Sequence, residues 1–101
     1  MADTLAKLSK SISWVSTGTS DTLTCNILPP KGKKGVQIES LNIDLEDLTV
    51  TVYGRGGVSK VVAFADPTGR MGTLGDGTFD IAKLVISNVP AGTNVFTISA
   101  N

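Results

Sequence analysis

Residues 22–28, TLTCNIL, alternate polar and apolar side chains: Leu23, Cys25 and Ile27 share one face, Thr22, Thr24 and Asn26 the other. Only an extended strand turns a period of two into one dry and one wet surface. The pattern recurs. SISWVS places Ile12 and Trp14 in phase, and LTVTVYG sets Leu48, Val50 and Val52 inward against Thr49, Thr51 and Tyr53. VVAFA, residues 61–65, is a continuous apolar run and is expected to be a strand covered on both sides. Its expected partner is FDIAKLVISNV, residues 79–89, whose nearly unbroken hydrophobicity suggests a central strand. NVFTISAN reads as the final strand.

Between these runs lie turn residues. In VPAG, Pro90 fixes φ at the second position and Gly92 closes the turn; GRGG, residues 54–57, reads as a loop. In VQIESLNIDLE the apolar phase begins at Val36 and Ile38 and slips by one to Leu41, Ile43 and Leu45, so a bulge or break near Ser40 is expected. A competing reading sets Leu41, Leu45 and Leu48 on one stripe of a short helix. Seven or eight short strands at this spacing define an all-β chain, an antiparallel β-sandwich of jelly-roll-like form. One domain is expected over residues 11–101. Residues 1–10 read as an N-terminal arm or a helical turn capped by Asp3 or Thr4.

The chemistry is narrower than the fold. The chain has no histidine, the usual general base near neutral pH and the commonest metal ligand, so Ser-His-Asp, Cys-His and ordinary zinc arrangements cannot be built from it. Cys25 is the only cysteine, so no intrachain disulfide forms. Nine basic and nine acidic side chains cancel, and no net field draws the chain to nucleic acid or an anionic membrane. The first residues carry no apolar signal core, and no run is long enough to span a bilayer. GRGGVSK lacks the spacing of a phosphate loop. GRMGTLGDGTFD, residues 69–80, fails the EF-hand pattern, leaving open a calcium site from Asp66, Asp76 and Asp80. The favoured reading is a long connection between core strands, with Met71 and Leu74 exposed for contact beside Arg70. No enzyme activity, metal or cofactor is expected.

Such a chain works by its surface. Lys31, Lys33 and Lys34 form a basic loop too thin for nucleic acid. They are expected to meet the acidic strip Glu39, Asp44, Glu46 and Asp47 of another copy or a partner. In composition and architecture the whole chain resembles the small sandwich proteins that decorate or stabilise phage and virus particles. That resemblance implies a non-catalytic virion component, made in a host cytoplasm without an export signal, acting through protein contacts as a homo-oligomer or part of a capsid lattice. The alternative is a carbohydrate- or surface-ligand-binding module using Tyr53, Trp14 and the 66–77 loop, although the phase of Trp14 favours the core.

Overall fold

The structure, a computed structural model, describes residues 3–8, 10–17, 21–27, 36–54, 56, 58–64, 68–74 and 81–100. The strands are β1 (Asp3–Leu8), β2 (Ser11–Ser16), β3 (Thr22–Ile27), β4 (Val36–Ser40), β5 (Thr49–Gly54), β6 (Ser59–Val61), β7 (Met71–Thr73), β8 (Ile81–Ser87) and β9 (Asn94–Ala100). They form two sheets, β1-β3-β8-β5-β6 and β2-β9-β4-β7. Their facing sides share a core that includes Leu23, Ile38, Val52, Leu84, Phe96 and Ile98. Each such side chain contributes about 1.5–3 kcal/mol by leaving water.

The topology is that of a jelly roll. β2 pairs antiparallel with β9, β3 with β8, β4 with β7 and β5 with β6, so the chain is one long ribbon folded at β5–β6. Rolling that ribbon also brings β4 against β9 and β5 against β8. The predicted class holds. β8 is the middle strand of its sheet, as its hydrophobicity implies. Its apolar run contains a phase slip: both Ile81 and Leu84 are fully buried, and the register shifts where Tyr53 faces Lys83 but Gly54 faces Ile81. One extra residue on β8 thus lets an odd and an even position point inward.

Three expectations are corrected. Residues 3–8 form neither arm nor helical turn but β1, running parallel to β3 from Asp3↔Thr22 to Leu8↔Ile27. Its Leu8 is sealed in the core and Ala6 packs against it, while Leu5 on the other side stands in solvent. The run VVAFA is not a doubly covered strand paired with β8. Among its described residues only Val61 is in a strand, the exposed β6 (Ser59–Val61), and the partner is β5. The break expected near Ser40 is present, as a departure from the sheet: Leu41 is exposed, Ile43 is half-buried, and Leu45–Asp47 form a 3₁₀ turn with Leu45 buried. Third, the competing helical stripe of Leu41, Leu45 and Leu48 does not form: Leu41 stands in solvent, and helical geometry is confined to this single 3₁₀ turn.

Side-chain amides fasten the turns. Asn42 donates from Nδ2 to the Thr93 carbonyl (2.8 Å) and to Asn94 Oδ1 (3.0 Å), and its Oδ1 accepts from the Val95 amide (3.0 Å). Asn94 in turn donates to the carbonyl of Pro90. Together they tie the chain leaving β4 to the turn that enters β9, where Gly92 adopts φ 100°, open to glycine at little cost.

Candidate functional site

Among the described residues the two sheets have four edge strands, β1 and β6 on one and β2 and β7 on the other. Soluble proteins usually blunt such edges with charge, brevity or bulges. β1 carries Lys7 and β6 carries Lys60, whereas β7 is only three residues long. β2 has none of these protections. It runs for six residues, SISWVS, without a charged side chain, pairs regularly with β9 from Ser11↔Ser99 to Ser16↔Asn94, and meets no strand on its other side among the described residues. On its solvent face Val15 is 51% exposed, next to Ser13. Trp14, on the inner face of the same strand, is 7% exposed and stacks on Phe96 with ring centroids 5.5 Å apart. The strand is therefore held rigid by its inner face, while along Ser11–Val15 its outer edge meets no strand among the described residues.

The residues singled out by sequence fall in several places. Lys31, Lys33 and Lys34 lie outside the described residues, as do Asp66, Asp76 and Asp80 of the calcium alternative. Glu39 is half-buried on the solvent side of β4, opposite Thr97 and Met71. Asp44 precedes the 3₁₀ turn and meets Arg70 Nε at 3.6 Å, and Arg70 Nη1 donates to the Leu41 carbonyl at 3.2 Å. Glu46 and Asp47 are exposed on that turn, not on a strand face. Met71 is exposed as expected. Leu74 is not: it is 4% exposed and its amide donates to the Val36 carbonyl, because the chain after β7 continues along β4 and turns this side chain into the core.

Tyr53 faces solvent from β5, yet Lys83 Nζ lies 4.4 Å from its ring centroid. With Trp14 inside, the pair Trp14 and Tyr53 offers no shared aromatic platform. Two shallow depressions mark the outer faces. One, of about 130 Å³, is lined by Gln37, Ile38, Glu39, Met71, Thr97 and Ser99; the other, of about 450 Å³, by Leu5, Ala6, Lys7 and Asn26. Each holds one charged side chain, so neither presents the carboxylate pair that acid–base hydrolysis requires. Cys25 is sealed in the core, and burial pushes its thiol up to about 11. It stays protonated near neutral pH and is no nucleophile.

Strand register reveals a charge arrangement that the sequence does not display. Lys7 aligns with Asn26, Asn26 with Lys83, Lys83 with Tyr53 and Tyr53 with Ser59, one row across all five strands of the first sheet. Lys60, opposite Val52, is next to this row, and Lys10 lies between β1 and β2 at the same end. Asp3 and Asp21 stand where β1 and β3 begin, at the opposite end, with Asp44, Glu46 and Asp47 before β5 and Glu39 near the end of β4. Among the described residues, the four lysines thus occupy one end of the strands and the carboxylates the other, where Arg70 is the one cation.

No family model matches the chain, and no curated protein matches it. Among solved structures, the crystal structure of PirA is similar, with a TM-score of 0.48 and 20% sequence identity over 91% of this chain and 94% of that one.

Proposed function

We propose that this chain is a non-catalytic assembly protein that docks other protein surfaces, copies of itself first, through the open edge of β2. The finer reading is a component of a particle or lattice, of the kind a small virion protein provides. One observation carries it: a six-residue edge free of charge, braced from inside by Trp14 on Phe96 and bearing the exposed Val15. An added strand would lie along the outward edge of Ser11–Val15, and pairing such an edge is how an assembly removes what a monomer must protect. The size and neutrality of the chain suit repeated packing in a closed or extended array.

Light scattering over a concentration series tests the reading. Wild-type protein is expected at a multiple of the monomer mass, and Val15→Lys, which sets a charge on the edge strand while leaving its inner face intact, is expected to shift it toward monomer. A wild-type protein that stays monomeric at every concentration ends the proposal.

A further inference from the structure

We infer that copies also stack end to end along the strand direction, the lysine end of one against the carboxylate end of the next. This contact rests on the assembly reading but uses a different surface. Its basis is the segregation just described. Lys7 and Lys10 are exposed at one end; Glu46 and Asp47 are exposed at the other, on the 3₁₀ turn that leads into β5. Arg70, the one cation at the carboxylate end among the described residues, is engaged by Asp44 and the Leu41 carbonyl and does not pair with Glu46 or Asp47 there.

The two ends do not neutralise each other within one molecule. Asp47 and Tyr53, which marks the lysine row, are six positions apart on nearly extended chain, roughly 20 Å at the rise of a strand. Screening at physiological salt acts over about 8 Å. A neighbour therefore meets each end as a separate patch, positive or negative, although the chain as a whole is neutral. Like ends repel and unlike ends attract, so the geometry selects head-to-tail contact. Such a contact uses two different patches on each copy, and it repeats into a ring or a filament instead of closing as a two-fold dimer. A second copy is the fitting occupant because one chain carries both of the complementary patches.

Charge swapping tests this. Lys7→Glu/Lys10→Glu cancels the positive end, and Glu46→Lys/Asp47→Lys nearly cancels the negative one; all four side chains are exposed, and circular dichroism with Trp14 emission checks that each variant folds. In sedimentation at about 20 mM salt, each variant alone is expected to self-associate at least about tenfold more weakly than wild type, and an equimolar mixture to recover association. At about 500 mM salt the wild type should lose the same contact. A mixture no heavier than its separate components, or wild-type association indifferent to salt, overturns the end contact. If wild-type mass then still exceeds that of the monomer and falls in Val15→Lys, the edge reading stands without it; if wild type is monomeric in both salts, both readings fail.

Discussion

At the scale of single residues, the tightest constraint in the sandwich is a glycine. Gly72 lies opposite Ile38 in β7, and a Cβ built on it would stand 2.6 Å from Phe64 Cδ1 and 2.9 Å from Leu45 Cδ1. The Phe64 ring occupies the space a side chain would need, and it is there because the chain after β6 crosses to the second sheet at this point. Gly72→Ala is expected to lower unfolding stability by about 1–3 kcal/mol in urea titrations. Phe64→Leu should recover part of that loss in the double variant, since the two sites share one volume. Cys25 supplies a test of a different kind. Its folded thiol titrates near 11 against an ordinary value of 9.0 because burial disfavours the thiolate. The unfolded chain therefore ionises first, and the contribution is whole below pH 9 and lost as pH climbs toward 11. Relative to Cys25→Ala, the wild type should give up on the order of 2 kcal/mol across that window, read as a shrinking gap between the two melting curves. A gap that stays constant from pH 8 to pH 11 would show the thiol to be solvated.

Among elements, β1 separates what the sequence displays from what it conceals. TLTCNIL and LTVTVYG alternate without a fault, and β3 and β5 follow them residue by residue, with Val50 and Val52 buried and Thr49 and Thr51 between core and solvent. β1 offers no such signal. Leu5 and Leu8 are three apart, a helical spacing, and they end on opposite sides of a strand, 79% and 0% exposed. The run from Val61 misleads for the converse reason: unbroken hydrophobicity carries no phase, so it cannot say that Val61 is an exposed edge residue while Phe64 is packed on the core. The 3₁₀ turn was only half legible: the break near Ser40 was visible, but not that Leu41 stands in solvent. The open edge of β2, central to the proposed function, was hidden altogether, because SISWVS reads the same with one neighbour as with two. If β1 is a structural strand, Leu8→Ala should cost about 2–5 kcal/mol while Leu5→Ala stays within about 0.5 kcal/mol. Equal, small effects in denaturant titrations would return these residues to the status of an arm.

For the molecule as a whole, the nested pairing dictates how it folds as well as where its charges lie. Composition reports only that positive and negative side chains cancel; the rolled ribbon is what sorts Lys7, Lys60 and Lys83 to one end and Asp44, Glu46 and Asp47 to the other, from positions interleaved along the chain. The same nesting grades the pairs by separation: Tyr53 with Ser59 at the tip, then Gln37 with Thr73, Leu23 with Ile86, and Ser11 with Ser99. Closing the widest loop is unfavourable until inner pairs have shortened it. Folding should accordingly start near β5 and β6 and finish with β2 and β9, on the millisecond-to-second scale of sandwiches dominated by distant contacts. Val52→Ala, in β5, is expected to slow folding, with a φ-value above about 0.5, whereas Phe96→Leu, in β9, should mainly speed unfolding, with a value below about 0.3. Stopped-flow refolding and unfolding across urea reads both. If the order is reversed, the long-range pair forms first, and the ribbon does not roll up from its tip.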